Sequence, residues 1–489
     1  MGGWDATVRS AGPGTYALAS WLFLRLLGLI YLAAFASLAL QIRGLVGREG
    51  ILPVAEFLTG REHWGMTRFW RWPSLCWLST SDRTLSLLSW GGAALAFLLI
   101  VGVAPIPVLA LLWIFYLSLF TAGRVFLRYQ WDVLLLETGF VAMLVAPPEI
   151  VPRFPPTIAP PSLGICLLWW LLFRLMFWSG VVKLRSGDAA WRSLTALNYH
   201  YETQPLPTPV SWYANLLPRV FHKCCTTAAL VIELLVPFLI AAPPPWRYAA
   251  AAVFILFMVL IEFTGNYAFF NLLGIALSLL LVDDAGLLRL CPPLWQTHQL
   301  NIVAGSPVQA GLAAVAASLV VVLSLDSAVR LFGFEITWPQ PMARFFDLVE
   351  PFHLVNSYGL FALMTTWRPE IVLEGSNDGR LWQEYEFKWK PGNPRRRPAF
   401  VAPHQPRLDW QMWFAALGAP VSDLWLDRFR ARLLQGSPAV IALLKTNPFP
   451  DVPPRFVREV LYEYRFTHPA ERRATGAWWH RQRRSSQSR

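Results

Sequence analysis

The fold is decided by residues 84–123, which read TLSLLSWGGAALAFLLIVGVAPIPVLALLWIFYLSLFTAG and contain no charged side chain. A helix needs about 20 mostly apolar residues to cross the hydrocarbon core of a bilayer. Pro105 and Pro107 interrupt this run near its middle, and a proline lacks the backbone N–H that a regular helix requires. The run therefore predicts two membrane-spanning helices joined by a tight turn.

Other segments on both sides of this run are also apolar enough to be candidate spans. Unpaired backbone groups are too costly in lipid, so each span must be a helix. Some candidates are short or contain a charge, and the sequence therefore predicts a range of about seven to nine spans. The additional candidates are residues 16–40, 133–147, 163–183, 226–242, 247–263, 266–282 and 307–325.

The composition of the whole chain agrees with a membrane protein. Hydrophobic residues make up 55% and charged residues 15% of the 489 residues, whereas soluble domains carry about 25% charged residues. The net charge is +12, and residues 370–489 hold 20 lysines and arginines against 12 acidic residues. The basic excess therefore follows the apolar spans and does not form one ordered face, so we expect no nucleic-acid partner.

Five charged residues fall inside the candidate spans. A charge in the bilayer interior is costly unless it meets a partner, water or the headgroups. We expect these side chains to point into the helix bundle, where they either pair between helices or line a functional cavity. The five residues are Arg25, Glu137, Arg174, Glu233 and Glu262.

Residues 183–223, here called the polar loop, separate two candidate spans. They read KLRSGDAAWRSLTALNYHYETQPLPTPVSWYANLLPRVFHK, which is too polar to cross a membrane and too rich in Trp, Tyr and His for a flexible linker. Its alternating prolines favour extended backbone. We predict an ordered re-entrant or interfacial loop, in which Trp191, Trp212 and Tyr213 lie at the level of the lipid headgroups.

After the last span the sequence acquires strand chemistry. Residues 370–374 and 381–390 alternate apolar and polar side chains, and the turn residues between them predict a β-hairpin. Further along, we predict a basic loop over 391–406, a helix over 424–444 and a strand over 457–467.

The predicted fold class is an α-helical polytopic membrane protein with a C-terminal extramembrane β-rich domain. Residues 345–367 could form an amphipathic or interfacial helix between the two parts. The predicted units are residues 1–340 as a multi-span membrane domain that includes the polar loop, 341–367 as an amphipathic connector, 368–468 as the β-rich domain and 469–489 as a disordered basic tail.

The polar loop carries the most specific pattern in the chain. Residues 179–188 (SGVVKLRSGD), 191–195 (WRSLT) and 198–209 (NYHYETQPLPTP) resemble the signature of the lipase maturation factor family. The resemblance covers about residues 15–467, and the chain is identified as a member of this family. It continues in residues 232–238 (IELLVPF), 265–271 (GNYAFFN), 443–450 (LLKTNPFP) and 461–467 (LYEYRFT).

The resemblance implies a membrane-embedded factor that helps secreted lipases fold and assemble into active dimers. In animals the family lies in the endoplasmic reticulum membrane, with the signature loop and C-terminal domain facing the lumen. A bacterial homologue would lie in the cytoplasmic, or inner, membrane. The implied partners are membrane lipid and an exported client protein such as a lipase.

The candidate client-binding residues come from these motifs. Tyr199, His200, Tyr201 and Glu202 form a compact polar and aromatic cluster, for which client binding, loop folding and chemistry all remain open. The full set is Lys183, Asp188, Trp191, Arg192, Asn198, Tyr199, His200, Tyr201, Glu202, Gln204 and Asn266.

A second resemblance concerns Lys183 alone. Together with Ser179, Gly180 and Trp191, it is similar to the core helix of vitamin K-dependent carboxylase-like membrane proteins, whose equivalent lysine is implicated as a base. Burial can favour the neutral amine that a base requires. The structural alternative is a snorkelling lysine or one paired with Asp188. An integral-membrane enzyme that uses Lys183 therefore remains the rival to a maturation factor.

Motifs of other chemistries do not occur in the sequence. There is no G-x-S-x-G elbow, no H-E-x-x-H pair, no P-loop and no Gly-rich dinucleotide turn. The five cysteines lack zinc-ligand spacing. We therefore expect no metal and no cofactor, and we do not expect the chain itself to be a lipase.

Overall fold

The computed structural model describes residues 14–151, 153–290, 301–334, 336–419 and 422–484, together with the backbone of residues 9–10. Within these residues, long helices pack side by side as a bundle. Seven are long and apolar enough to cross a membrane, and a bent pair, Phe270–Leu279 with Asp284–Leu290, would make eight. The predicted number of spans is confirmed, and the chain is an integral membrane protein. The seven helices are Ala17–Ala39, Asp82–Val101, Pro105–Phe126, Ser162–Arg185, Arg219–Ala241, Pro244–Thr264 and Pro307–Leu331.

The predicted break inside the uncharged run is confirmed. The helix Asp82–Val101 is followed by Gly102, whose φ of +92° lies in the left-handed region that favours glycine. The second helix begins at Pro105. Proline is tolerated at the first helical position because its missing N–H would have no helical partner there.

A shorter helix, Gln130–Val145, lies among the long ones and carries a buried acid. Its Glu137 forms an ion pair with Arg174, and each side chain is only 1% exposed. Asn356 and Tyr358 also donate to the Glu137 carboxylate, at 2.9 and 2.7 Å. The prediction that these two charges point into the bundle is confirmed, and their arrangement is an ion pair between helices.

Short helices form the connections at one end of the bundle. The polar loop contains three of them, so the prediction of an ordered loop is confirmed. They are Ala189–Arg192, Leu197–Thr203 and Pro209–Asn215. The other short helical segments are Ile42–Val46, Val54–Thr59, Glu62–Thr67, Arg68–Arg71, Leu75–Trp77 and Arg124–Phe126.

The connector after the last long helix is only partly helical. It forms a helix over Gln340–Val349 and a single 3-10 turn over Glu350–Phe352. His353 then takes a φ of +52°, which a continuing helix does not allow. The prediction of one helix over residues 345–367 is therefore wrong in its second half, which runs back across the bundle as irregular chain.

The C-terminal domain is built on a four-stranded antiparallel sheet. Its longest pair places Arg368 opposite Tyr464 and Ser376 opposite Phe456. A second sheet pairs Glu386–Phe387 with Leu444–Thr446. In sheet order the four strands are Gln383–Glu384, Arg368–Ser376, Phe456–Phe466 and Trp479–Arg483, and the helices of the domain are Arg407–Ala416, Ser422–Leu434, Pro438–Ile441 and Pro469–Thr475.

The structure corrects three details of the predicted domain. The hairpin forms, but its second strand covers only Gln383–Glu384, because the next residues pair with the other sheet. The predicted helix over 424–444 is interrupted near Gly436, which has a φ of +66°. The tail is not disordered over its described part, since Pro469–Thr475 is helical and Trp479–Arg483 adds an edge strand. Residues 485–489 lie outside the described residues.

The C-terminal domain lies at one end of the bundle, here called the near end. The last turn of the helix Ala17–Ala39 reaches it, since the Gln405 backbone N–H donates to the Ser37 hydroxyl at 2.9 Å. The first turn of the same helix lies at the opposite, far end. There the Asp284 carboxylate accepts the backbone N–H of Ala17 and of Leu18, each at 2.9 Å. The polar loop contacts the C-terminal domain and therefore also lies at the near end.

Candidate functional site at the junction of the polar loop and the C-terminal domain

The polar loop begins with a buried ion pair. The Lys183 ammonium nitrogen lies 2.5 and 2.6 Å from the two carboxylate oxygens of Glu233, and both residues are buried. The helices that carry Lys183 and Glu233 approach closely at Gly180. A Cβ at this position would lie 2.8 Å from Leu234 and 3.0 Å from the Glu233 Cβ. The alternative that pairs Lys183 with Asp188 is wrong, because Glu233 on the neighbouring helix takes that place.

Asp188 and Trp191 fasten the polar loop to the irregular half of the connector. One Asp188 oxygen caps the short helix by accepting the backbone N–H of Ala190 at 2.8 Å, and the other accepts the Met364 N–H at 3.0 Å. The Trp191 indole donates to the Phe361 carbonyl at 2.9 Å and is buried. Trp191 is thus an internal contact of the chain.

The next candidates differ in their exposure. Asn198 lies 3.1 Å from a ring nitrogen of His222, and Tyr201 is buried with its ring centroid 5.5 Å from that of His222. Tyr199 is partly buried against a small apolar cluster. Arg192 is exposed. Among these residues, only Arg192 presents its side chain openly to solvent.

His200 and Gln204 meet Tyr267 in a hydrogen-bond network. The Tyr267 hydroxyl donates to Gln204 Oε1 at 2.6 Å and lies 3.2 Å from His200 Nε2. The Gln204 amide donates to the Thr264 carbonyl at 2.6 Å. Burial lowers the pKa of His200 to about 4, and the positive charge of Lys183 adds to this effect. His200 is therefore neutral near pH 7.

Asn266 connects three segments of the chain with one side chain. Its amide nitrogen donates to the carbonyls of Leu206 in the polar loop and Ala399 in the C-terminal domain, at 3.0 and 2.9 Å. Its amide oxygen accepts the N–H groups of Val401 and Ala402 at 2.6 and 3.1 Å. A buried amide can satisfy all of its donors and acceptors only when these segments are held together.

Arg368 is the residue at the centre of the junction, and the sequence analysis did not find it. It is fully buried at the start of the first strand of the C-terminal domain. Its guanidinium donates to the carbonyls of Glu202 and Pro205, each at 2.8 Å, and to that of Gln204. One arginine therefore holds three backbone carbonyls within residues 202–205 of the polar loop.

The charge of Arg368 is balanced within its own domain. Arg368 Nε donates to Glu370 Oε1 at 2.9 Å, and the Lys390 ammonium lies 2.8 Å from Glu370 Oε2. All three side chains are buried. Arg368 and Glu370 stand two positions apart on one strand, so their side chains share a face of the sheet. That spacing is the signal from which this pair could have been found.

Glu202 and Trp212 complete the junction from the loop side. The Glu202 carboxylate accepts the Phe466 N–H at 2.6 Å, and the Trp212 indole donates to the Thr467 carbonyl at 2.9 Å. Burial raises the pKa of Glu202, although the Phe466 N–H opposes this shift. Trp212 is buried and is an internal contact as well, whereas Tyr213 is 54% exposed.

A second attachment joins the C-terminal domain directly to the bundle. Arg407 donates to both carboxylate oxygens of Asp132, at 2.8 and 2.9 Å, and both residues are buried. Arg407 also donates to the Phe126 carbonyl at 2.7 Å. Such two-pronged pairs fix orientation as well as distance. The domain is therefore held over the near end by two separate buried arginines.

Among the described residues, no group of three or more His, Cys, Asp or Glu side chains could hold a metal ion. Cys76, Cys166, Cys224 and Cys225 are free thiols, and Cys291 lies outside the described residues. The junction is thus made of hydrogen bonds and ion pairs within the chain.

The sequence of this chain matches two family models in succession. Residues 18–289 match the lipase maturation factor transmembrane domain, and residues 354–488 match the lipase maturation factor C-terminal domain. The chain belongs to the lipase maturation factor family. The two matched blocks contain all eleven candidate site residues as well as Arg368 and Arg407.

Curated relatives match this chain over most of their length. Lipase maturation factor 2 from Homo sapiens is 40% identical, over 94% of this chain and 81% of its own length. The protein of the same name from Gallus gallus is 38% identical, over 94% and 79%. Lipase maturation factor 1 from Bos taurus is 34% identical, over 96% and 88%. No solved structure matches the chain. The carboxylase-like alternative finds no support in these matches.

Proposed function

We propose that this chain is a membrane-embedded maturation factor for exported lipases, and that the polar loop positions its C-terminal domain. Family membership supports the client class. The Arg368 contacts support the positioning role, because they tie the domain to three loop carbonyls. A rigid junction keeps the free end of the domain at a fixed height above the membrane, where a client can meet it.

The buried candidates act by holding the junction together and not by touching the client. Lys183, Trp191, Tyr201, Gln204 and Asn266 are buried. In this proposal they are positioning residues, and the client meets a different surface of the chain.

The client surface in this proposal is the hairpin tip, defined as Leu381, Val452 and Phe456. These side chains are 76%, 68% and 51% exposed. Phe456 pairs with the last residue of the strand that begins at Arg368, so the tip lies about 26 Å from the junction at about 3.3 Å per strand residue. A contiguous exposed apolar patch is typical of interaction sites, and in this proposal the three side chains form one.

The proposal places the C-terminal domain in the lumen of the endoplasmic reticulum, or on the periplasmic side if the chain is bacterial. A cysteine label can test this placement at Asn377, which is exposed. Its neighbour Ser376 is fully buried and would not react. Asn377→Cys, on a background without the native cysteines, should react with an impermeant maleimide only from the lumenal or periplasmic face of oriented vesicles. Reaction only from the cytoplasmic face would overturn this placement.

The function itself is tested by co-expression with a secreted lipase in cells that lack their own maturation factor. The wild-type chain should raise the secreted lipase activity, and no rise would contradict the proposed function. Leu381→Ala with Phe456→Ala should lose most of this activity at normal abundance, because the client surface shrinks. Phe400→Ala is the matched control, since Phe400 is 54% exposed but lies beside Phe263 of the bundle. Full activity of the double variant would refute the hairpin tip as the client surface.

A further inference from the structure

The far end of the bundle contains a cavity of about 680 Å³ that the maturation function does not use. It lies where the helices Ser162–Arg185, Pro244–Thr264 and Pro307–Leu331 begin, close to the start of the helix Ala17–Ala39. Its lining combines aromatic rings, hydroxyls and one cation: Tyr16, Ser162, Cys166, Trp169, Arg247 and Ser306.

Arg247 is the only charged side chain in the described lining of this cavity. It is about nine-tenths buried, and its Nε donates to the Leu281 carbonyl at 2.9 Å. Its guanidinium stacks over Trp169 at 4.7 Å. The other two guanidinium nitrogens have no hydrogen-bond acceptor among the described residues. These two nitrogens are not fully enclosed and open onto the cavity, where an anionic ligand could accept charge-assisted hydrogen bonds from them.

Neighbouring acids do not supply these acceptors. Asp283 is occupied by the Gly14 and Gly286 N–H groups at 3.0 and 2.9 Å and by the Tyr248 hydroxyl. Asp284 caps the first helix. Neither acid forms an ion pair with Arg247 in the described part of the chain.

Two helix N-termini add further donors around the cavity. The helices that begin at Ser162 and Pro307 have no side-chain cap at their first turns, whereas the helix that begins at Pro244 has proline at its first two positions and offers no N–H there. The Ser162 and Ser306 hydroxyls also make no hydrogen bond within the described residues. Free N–H groups and the positive end of the helix dipole favour an anion at such a point.

We infer that this cavity binds the phosphate-bearing headgroup of a membrane phospholipid. The helices that open the cavity are membrane spans, so their first turns lie near the headgroup level of one leaflet. Trp169 and Tyr16 are the residue types that favour this level, and basic pockets between spans are typical headgroup sites. The phosphate would accept from Arg247 and the helix ends, while the first part of the acyl chains would lie against Trp169 and Ile165.

The inference can be tested on the full-length chain in detergent with three probes. These are dioctanoyl phosphatidic acid, dioctanoylglycerol, which lacks the phosphate, and inorganic phosphate. Binding is followed by native mass spectrometry and by the rate of maleimide alkylation at Cys166, a free thiol in the lining that a bound lipid would shield. Phosphatidic acid should bind and slow the alkylation, whereas the other two probes should bind at least about tenfold more weakly.

Two variants and a control separate the ligand contact from folding. Arg247→Gln should weaken phosphatidic acid binding by about tenfold or more. Ala310→Phe fills the cavity and leaves Arg247 intact, and it should also exclude the lipid. Arg289→Gln is the control, because Arg289 is an exposed arginine at the same end. Equal binding of dioctanoylglycerol, equal binding of inorganic phosphate, or unchanged phosphatidic acid binding by Arg247→Gln and Ala310→Phe would each overturn the inference.

Discussion

The two ends of the helix bundle treat their buried arginines differently. At the near end, Arg368 donates from all three guanidinium nitrogens, and Arg407 from two of its three, to carbonyl and carboxylate acceptors. At the far end, Arg247 has one carbonyl and an aromatic ring, and it faces an open cavity. The two near-end arginines are ion-paired and hold parts of the chain together, whereas Arg247 forms no ion pair among the described residues and is available for a ligand.

This contrast has consequences for mutagenesis. Removing one partner of a buried ion pair leaves the other charge uncompensated, which typically costs about 3–5 kcal/mol. Removing an arginine that faces a cavity leaves few partners behind. The near end should therefore respond to mutation by losing stability, and the far end by losing its ligand.

The largest effect is expected for Arg368→Met. The substitution leaves three loop carbonyls without donors and leaves Glu370 with Lys390 alone, so we expect a loss of about 3–5 kcal/mol in the free energy of unfolding. Thermal unfolding in detergent and protease release of the C-terminal domain would measure it. Arg465→Met is the control, since its ion pair with Glu471 is partly exposed and worth at most about 1 kcal/mol. Similar stability of the two variants would break the contrast between buried and exposed arginines.

The pair of Lys183 and Glu233 should show the next largest effect, and it also separates structure from catalysis. Lys183→Met alone strands a buried carboxylate and should destabilise the bundle by about 3 kcal/mol. Lys183→Met with Glu233→Leu removes both charges and should recover most of the stability together with lipase maturation. A base would require an amine with a free lone pair, and the structure places this nitrogen in an ion pair instead. A stable double variant without any maturation activity would contradict the positioning role.

A smaller, pH-dependent effect is expected from His200. Burial lowers its pKa from 6.5 to about 4, so between these pH values the unfolded chain binds a proton that the folded chain does not. The stability that His200 contributes is therefore present above about pH 6.5 and is lost as the pH falls towards 4. His200→Gln should flatten the fall in melting temperature over this window. His63→Gln, at an exposed site, should leave the profile unchanged, and an unaltered profile for both variants would refute the assignment.

The smallest change in stability is expected at the far end. Arg247→Gln loses one hydrogen bond to the Leu281 carbonyl, and we expect a cost of about 1 kcal/mol or less in lipid-free detergent. The same melting experiment as for Arg368→Met gives the comparison. A loss as large as that of Arg368→Met would mean that the two ends do not differ in the way described.

The sequence was sufficient to predict the features that depend on neighbours along the chain. The uncharged run with Pro105 and Pro107 predicted two helices with a break, and the alternating residues around Asn377 predicted the hairpin. Both signals act within about twenty residues, since helical length and strand alternation are local properties. The prediction that the polar loop is an ordered structure also followed from its own composition.

Features that depend on distant partners could not be predicted in this way. Lys183 pairs with Glu233, fifty positions away, and local spacing had suggested Asp188 instead. The tail was missed for a different reason: it is polar enough to look disordered, yet its strand Trp479–Arg483 pairs with the preceding strand Phe456–Phe466 and packs its tryptophan against it. Arg368 looked like a boundary residue, because nothing near it reveals which carbonyls it will meet.

The central claim is that the buried residues of the polar loop hold the junction together while the client binds elsewhere. Two tyrosines of the same loop test it directly, because Tyr201 is 8% and Tyr213 54% exposed. A benzophenone amino acid would replace each in turn, and the variants would be irradiated in cells that also express the lipase. At position 201 we predict crosslinks only within the chain. Position 213 is exposed and serves as the control that shows how a benzophenone on the loop surface reacts under the same irradiation. A lipase adduct formed from position 201, in a variant of normal abundance and activity, would contradict the account.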